Sequence, residues 1–337
     1  MSKVKAYAAM EAGGELEPFE YEVGELGADE VEIKVEYCGI CHSDLSMIDN
    51  AWGMTQYPIV PGHEVSGEII ALGGNVRHLQ VGQKVGLGWY SKSCMTCDAC
   101  MNGDHNLCAG AEGTIVGRPG GFGEKVRCHW SWAIPLPDGF DVEKAGPLFC
   151  GGITVFNPIK QFDVKPTDRV GVIGIGGLGH MALQFLNKWG CHVTAFTSTD
   201  TKAVEALTFG AHEVINSRDE KALEAAAGTL DFLLVTVNVT LNWNLYINTL
   251  KPKGRLHFVG AVLEPVAVPA FSLITAQRSV SGTPLGSPAT TAQMLRFCQH
   301  HDLMPKTEVF PMSKVNDAIA HLKTGNARYR IVLKNDF

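Results

Sequence analysis

The chain has 337 residues, of which 45% are hydrophobic, 19% charged and 37 glycine, so a disordered or fibrous protein is excluded and two globular domains are expected. The net charge of −7, with scattered Lys and Arg, argues against a nucleic-acid partner, because neutralising phosphates requires clustered cations. No apolar run reaches 18 residues, and the start turns acidic before a signal peptide could form. We therefore expect a cytoplasmic protein without a membrane partner.

The first 150 residues contain short β-prone runs separated by glycine and proline, at 31–38, 64–72, 84–90 and 124–137. This pattern predicts an irregular, β-barrel-like domain. Within it, residues 38–46 read CGICHSDLS. The segment from Cys38 to His42 is compatible with half of a zinc finger, a redox pair, a haem attachment site, or one metal ligand with helper residues. The segment alone does not decide among them.

Four cysteines lie within one loop of fifteen residues. In a long cytosolic chain such a cluster indicates metal binding rather than disulfides. Four thiolates fit a closed tetrahedral zinc site, which is structural because the protein fills every ligand position. An iron–sulfur cluster is the alternative, but the last spacing and the absence of a following proline disfavour it. The predicted ligands of a structural zinc are Cys94, Cys97, Cys100 and Cys108.

From about residue 168 apolar strands alternate with helical stretches, which predicts a parallel, doubly wound sheet. The first strand, 169–173, leads directly into a GxGxxG turn and a helix. This context favours a dinucleotide site over a simple tight turn, because the glycines let a pyrophosphate approach the helix N-terminus. The turn consists of Gly174, Ile175, Gly176, Gly177, Leu178 and Gly179.

The second strand of this region ends without the Asp or Glu that binds the ribose of NAD. Thr197, Ser198, Thr199 and Lys202 instead supply hydroxyls and a positive charge, which favours the 2′-phosphate of NADP. The alternative is an ordinary polar turn in which Thr, Ser or Asp200 caps the next helix. After about residue 286, a helix, a strand, a second helix and a last strand are predicted.

A catalytic zinc uses three protein ligands, often from distant segments, and keeps one position open. Cys41, the pair His63 and Glu64, and Cys150 are candidates, although a lone cysteine or histidine is more often a buried structural group.

Taken together, these residues resemble the zinc-containing medium-chain alcohol dehydrogenases, in particular the cinnamyl-alcohol-dehydrogenase branch and its bacterial NADPH-dependent aldehyde reductases. The resemblance covers essentially the whole chain and rests on YCGICHSDL, WGMTQYPIVPGHEVSG, the four-cysteine loop, FCGGITVF, GIGGLGH and ARYRIVL. It implies an α/β fold with a Rossmann doubly wound parallel sheet and a GroES-like β-barrel catalytic domain. The implied domains are 1–153 with 287–337, including a zinc lobe at 94–108, and a Rossmann NADP-binding domain at 154–286.

The resemblance also implies residue roles. Cys41, His63 and Cys150 would bind the catalytic zinc with Glu64 as a transient ligand, Asp44 would orient His63, and Cys38 would have no metal role. Ser43 would hydrogen-bond the substrate oxygen. The implied cofactor contacts are His42, Ser43, Thr154, Thr236, Gly260 and Thr283, and the implied substrate-pocket residues are Trp52 and Tyr90.

The implied reaction is reversible reduction of an aldehyde to a primary alcohol, with NADPH as the hydride donor, zinc as the Lewis acid and Ser43 as the proton donor. The chain departs from many relatives at Ser46, where they carry a histidine at the outer end of the proton relay. A homodimer is also implied. Two alternatives from other classes are a zinc-ribbon binding module and an NADP-binding redox sensor without turnover.

Overall fold

The structure, a computed structural model, describes residues 2–337. Its first 150 residues are mainly β. The strands are β1 (Ser2–Ala9), β2 (Leu16–Val23), β3 (Glu30–Ile40), β4 (Glu64–Leu72), β5 (Lys84–Leu87), β6 (Tyr90–Lys92), β7 (Glu112–Gly113), β8 (Lys125–His129) and β9 (Ile134–Pro135). The helices are α1 (His42–Ile48), α2 (Asp98–Met101) and α3 (Val142–Ala145), with 3₁₀ turns at His105–Leu107, Trp130–Trp132 and Gly146–Phe149.

The middle of the chain alternates helices and strands, as the sequence predicts. Its elements are α4 (Gly151–Gln161), β10 (Arg169–Ile173), α5 (Gly179–Trp189), β11 (His192–Thr197), α6 (Asp200–Thr208), β12 (Glu213–Asn216), α7 (Glu220–Ala225), β13 (Leu230–Val235), α8 (Trp243–Thr249), β14 (Leu250–Phe258), α9 (Ala270–Ile274) and β15 (Ser279–Gly282). The chain ends with α10 (Pro288–His301), β16 (Thr307–Pro311), a 3₁₀ turn at Met312–Lys314, α11 (Val315–Lys323) and β17 (Arg330–Lys334).

The chain divides into two compact units, residues 1–153 with 286–337 and residues 154–285. The first unit contains a seven-stranded sheet with the order β16-β17-β3-β4-β5-β9, in which β8 also pairs with β3. In strand β3, Val31, Ile33 and Val35 are buried, as expected for a face on the core. On the other face Lys34 is exposed, whereas Glu32 is buried in ion pairs with Lys125 and Arg127. Strand β17 pairs antiparallel with β3, which brings the end of the chain next to its first third.

The second unit is a six-stranded sheet in the order β12-β11-β10-β13-β14-β15, and all five strand pairs are parallel. This is the doubly wound order predicted for a dinucleotide-binding domain. Strands β10, β11 and β13 are almost continuously apolar and buried, which is typical of parallel strands covered on both faces.

Within residues 2–337, no helix combines the length and the apolar character needed to cross a membrane.

Candidate functional site

Four candidate metal ligands from separate segments meet in the first unit. Cys41 follows β3 and caps α1, His63 and Glu64 lie at the start of β4, and Cys150 precedes α4. The antiparallel pairing of Gly39 with Glu64 explains why the end of β3 lies beside the start of β4. One donor atom from each ligand lies within 4.8 Å of the others. His63 Nε2 is 3.3 Å from Cys150 Sγ, which is 4.0 Å from Cys41 Sγ.

The candidate ligands shift one another's pKa values. The hydrogen bond with Cys150, helped by His63, lowers the pKa of the Cys41 thiol well below its ordinary value despite burial. The same hydrogen bond and burial raise the pKa of Cys150. Burial opposes a charged His63, but the Asp44 carboxylate raises the pKa of the imidazole well above its usual value. Since metal ligands must be deprotonated, a metal that binds here displaces these protons.

Asp44 fixes the geometry of this cluster from a fully buried position. Its carboxylate accepts hydrogen bonds from Cys41 N, Gly62 N and His63 Nδ1, each 2.9 Å long. The bond from Nδ1 directs Nε2 of the imidazole toward the two thiols, and such a carboxylate–histidine pair is common behind protein metal ions.

Glu64 is a buried carboxylate with a counter-ion from the other end of the chain. The guanidinium of Arg330, on β17, forms an ion pair with Glu64 Oε1, and both side chains are buried. Burial nevertheless raises the pKa of Glu64. A Cβ atom on Gly39 would lie 2.1 Å from Glu64 Oε2, so glycine at this position leaves room for the carboxylate.

The donor set fits a zinc ion. Two thiols, an imidazole and a carboxylate are the ligand types zinc prefers, and they converge within bonding reach of one point. Glu64 Oε2 is buried and has no hydrogen-bond partner within residues 2–337, and coordination of a cation would satisfy this oxygen.

The second cysteine cluster lies in the loop around α2. Donor atoms of Cys94, Cys97, Cys100 and Cys108 all lie within 4.8 Å of one another, and none forms a disulfide. Backbone N–H groups of Cys94 and Cys97 donate to Cys108 Sγ (3.4 Å) and Cys94 Sγ (3.3 Å). Backbone hydrogen bonds at Thr96 and Cys97 lower the pKa of Cys94 to about 6. N–H groups aimed at sulfur are suited to stabilising thiolates around a metal.

The predicted residues of α1 lie next to the buried ligands. Ser43 is partly buried, and its Oγ lies 3.8 Å from Cys41 Sγ, whereas His42 is exposed at the first position of the helix. Ser46 is partly buried one turn later.

Aromatic rings line one side of the ligand cluster. The Trp89 ring contacts His63 edge-on at 5.1 Å between ring centres, and Trp52 contacts Trp89 at 5.7 Å. Tyr90 instead packs on Trp132 at 5.3 Å. The structure therefore connects Trp52 to the metal ligands through Trp89, a residue that the sequence analysis did not single out.

The glycine-rich turn lies in the second unit where β10 meets α5. Gly174 has a φ of +89°, which favours glycine, and a Cβ on Gly179 would lie 1.9 Å from Gly174 O. A Cβ on Gly176 would meet no atom within 4 Å. The first and last glycines thus serve the turn and packing, while open space at the middle one fits the approach of a pyrophosphate.

Two other predicted cofactor residues, Thr236 and Gly260, lie at the same carboxyl edge of the sheet. The Thr236 hydroxyl is 2.9 Å from Ile173 O and 2.8 Å from Gly174 O, which joins the ends of β13 and β10. A Cβ on Gly260 would lie 2.1 Å from Val237 O. Thr154 is buried on α4.

Thr283, after β15, is held by a histidine that the sequence analysis missed. His257 is fully buried, and its ring nitrogens lie 2.9 Å from Ser281 Oγ and 3.0 Å from Thr283 Oγ1. Burial lowers the pKa of His257 to about 4, so the neutral ring donates to one hydroxyl and accepts from the other.

The segment after β11 shows which residue caps α6. Thr199 is the N-cap of α6, with Oγ1 accepting from Lys202 N at 3.4 Å, and Asp200 is the first helical residue. Of the caps that the sequence allowed, a threonine is therefore the one used and Asp200 is not, since the helix begins one residue earlier than a cap at Asp200 requires. Thr197 is buried, Ser198 is partly buried and Thr199 is exposed.

Profiles of two known domains match the chain, the alcohol dehydrogenase GroES-like domain over residues 27–138 and the zinc-binding dehydrogenase over residues 177–300. Aldehyde reductase AdhA of Synechocystis is 57% identical over 332 residues, covering 98% of this chain and 99% of that protein. A probable cinnamyl alcohol dehydrogenase of Oryza sativa subsp. japonica is 37% identical over 342 residues, covering 98% and 95%.

Solved structures give the same relationship. A cinnamyl alcohol dehydrogenase of Sorghum bicolor has a TM-score of 0.95 at 36% identity, covering 99% of this chain and 98% of that one. The corresponding enzyme of Helicobacter pylori, in complex with NADP(H), has a TM-score of 0.91 at 28% identity and covers 98% of each chain.

We expect the two cysteine clusters to differ in their response to substitution. Cys97→Ser should remove one zinc per chain and lower thermal stability, because closed zinc sites contribute folding energy. Cys150→Ser should abolish turnover with a smaller change in melting temperature. Elemental analysis, calorimetry and activity measurements test this, and an iron signal or a single zinc in the unmodified protein would contradict it.

Replacing Arg330 should destabilise the protein strongly. Arg330→Met removes the ion-pair partner of the buried Glu64, which costs about 3–5 kcal/mol in the free energy of unfolding. The double variant Arg330→Met/Glu64→Gln should recover much of this loss. Urea unfolding at constant zinc concentration measures both, with Lys3→Met, which removes an exposed ion pair, as the control that changes stability little. A loss below about 1 kcal/mol for Arg330→Met would show that the ion pair is unimportant.

Proposed function

The chain belongs to the zinc-binding alcohol dehydrogenases with a GroES-like domain, as its sequence resemblance predicts, and we propose that it reduces aldehydes to primary alcohols with NADPH. The observation that carries the proposal is the buried convergence of Cys41, His63, Glu64 and Cys150. It is supported by a relative named aldehyde reductase that matches over almost its full length, and by the NADP(H) complex of a structural neighbour.

In this proposal each ligand residue has a defined task. Cys41, His63 and Cys150 would hold a zinc ion, with Glu64 as an additional donor, and Asp44 orients the imidazole of His63 for that role. When bound, zinc supplies Lewis-acid polarisation of a carbonyl group, and NADPH supplies the hydride. A second zinc in the cysteine lobe (residues 94–108) has a structural role.

Ser43 is the proposed proton donor. Its hydroxyl lies beside Cys41 at the amino end of α1. Because Ser43 is only partly buried, the hydroxyl can contact both a substrate oxygen and solvent. Ser46 takes the place of the histidine base found in many relatives. A serine hydroxyl does not titrate near neutral pH, so the last proton step uses water or another group.

The substrate pocket is proposed to include Trp52 and Trp89. Their edge-on contacts place two large apolar surfaces beside His63. Such walls exclude water from a polar reaction and suit both aliphatic and aromatic aldehydes. Tyr90, which the resemblance also implies, has its ring against Trp132, and we propose that it supports the pocket rather than lines it.

We propose that the first compact unit is the catalytic domain and that the second is the NADP-binding domain. The cofactor residues proposed in the second unit are the turn 174–179, Thr154, Thr197, Ser198, Thr199, Lys202, Thr236, Gly260 and Thr283; His42 and Ser43 are proposed from the first. Most of those in the second unit lie at the carboxyl ends of parallel strands, where such sheets bind ligands.

A homodimer is proposed from the free edge of the second unit. Strand β15 ends the parallel sheet, and exposed apolar side chains lie in the same region, including Phe271 (75% exposed) and Ile274 (71%). An open strand edge beside exposed apolar groups is typical of subunit interfaces. A monomeric mass in sedimentation equilibrium would contradict the dimer. A cytoplasmic location is proposed from the amino-acid composition, and cell fractionation tests it.

The role of Ser43 can be tested against that of Ser46. Ser43→Ala should lower kcat by roughly 10²-fold or more, because it removes the proton donor, whereas Ser46→Ala should have little effect. Steady-state kinetics with an aldehyde and NADPH measure both. A large loss confined to Ser46→Ala would assign the relay to the other hydroxyl.

The cofactor preference provides the most direct test of the proposed function. NADPH should exceed NADH in kcat/KM by roughly 10²-fold or more, because two charge-assisted hydrogen bonds to the 2′-phosphate are worth about 1.5–3 kcal/mol each. Thr197→Asp should reverse the ranking through repulsion of the phosphate, and Lys202→Ala should weaken only NADPH. Equal kcat/KM values for the two cofactors in the unmodified protein would contradict the proposal.

A further inference from the structure

The carboxyl ends of β11 and β12 lie side by side in the parallel sheet. Thr197, the last residue of β11, is paired with Asn216, the last residue of β12. The contact continues beyond the strands, because Ser217 N donates to Thr197 O at 3.0 Å. The segment that follows β12 is therefore fixed next to the hydroxyl-rich end of β11.

The next residue in this segment is Arg218. Its backbone N–H donates to Asn216 Oδ1 at 3.0 Å, which sets the direction of the turn, and its side chain is exposed. The guanidinium forms no ion pair with any residue between 2 and 337, and the same holds for the ammonium of Lys202. Two positive groups without counter-ions thus follow two adjacent strand ends.

The carboxylates of the same segments lie at helix starts. Asp219 is the N-cap of α7 and accepts from Lys221 N (3.0 Å) and Ala222 N (3.2 Å). Asp200 and Glu220 are the first residues of α6 and α7, where the helix N-terminus stabilises negative charge. Arg218 and Lys202, which have no ion-pair partner within residues 2–337, are therefore available to bind a further anion at this edge.

We propose that Arg218 binds the 2′-phosphate of NADPH together with Lys202. This inference rests on the proposed function, since it extends the site at Thr197–Lys202 by one residue from the neighbouring strand. A guanidinium offers two parallel N–H donors to phosphate oxygens, which an ammonium cannot do. Arg218 contributes nothing toward NADH, which has a hydroxyl in place of the phosphate, so it acts as a specificity residue.

Binding of adenosine fragments tests this without the reaction itself. Adenosine 2′,5′-bisphosphate differs from 5′-AMP only by the 2′-phosphate, and titration calorimetry on the zinc-loaded protein measures both. Arg218→Ala should weaken the bisphosphate about 10-fold or more and leave 5′-AMP unchanged, because a charge-assisted contact is lost. Arg218→Lys should recover part of the affinity.

Lys188→Ala is the matched control. Lys188 is exposed at the last turn of α5, which runs back to the opposite edge of the sheet before β11, so this variant removes one positive charge away from the site. It should bind both fragments as the unmodified protein does. An equal loss in Lys188→Ala would show that net charge is responsible and would overturn the inference.

Two further outcomes separate this inference from the proposed function. If the unmodified protein prefers the bisphosphate and Arg218→Ala keeps the same preference, Arg218 does not bind the phosphate while the NADPH preference stands. If the unmodified protein binds the two fragments equally, the cofactor preference and this inference both fail. Equal weakening of both fragments in Arg218→Ala would indicate a distorted turn and would also overturn it.

Discussion

The need to keep the buried carboxylate of Glu64 satisfied links the metal ligands to the rest of the first unit. Desolvating a carboxylate is costly unless a cation and donors accompany it. The cation is Arg330, whose strand must return from the end of the chain to pair with β3. Space for the carboxylate exists because residue 39 is a glycine. The Glu64 carboxylate thereby depends on two features of the sheet: the pairing of β17 with β3, which supplies Arg330, and the glycine at position 39.

Local patterns in the sequence predict much of this architecture. The strand at 169–173, the glycine-rich turn and the following helix are recognisable because apolar periodicity and glycine positions are local properties. The cysteine lobe is predictable for the same reason, since its four thiols lie within fifteen residues. The dispersed ligands Cys41, His63 and Cys150 are different. Only the family resemblance connects them in the sequence, because no local rule sets which strands are neighbours.

The roles of Arg330 and Trp89 depend on tertiary contacts, which local patterns do not reveal. Arg330 is visible as a charge in the apolar run RIVL, but its partner lies 266 residues away. Trp89 and Tyr90 are adjacent, and successive residues at a strand start point to opposite sides, so the pattern does not show which ring meets His63. Thr199 and Asp200 are both good N-caps, and helix starts vary by one residue, so the sequence leaves the choice between them open.

The Arg330 ion pair also bears on why the two cysteine clusters should behave differently. In the lobe, four thiols surround one point, and a metal that binds all of them is coordinatively closed. In the other cluster, Arg330 pairs with Oε1 of Glu64 and leaves Oε2 without a hydrogen-bond partner within residues 2–337, whereas Cys41, His63 and Cys150 contact one another through sulfur and Nε2. Because Glu64 already has a cationic partner, we expect it to bind a metal less tightly than the other three candidate ligands. Catalytic zinc sites keep one position open for the substrate, so a weakly held fourth ligand fits the proposed reaction better than a fully closed site.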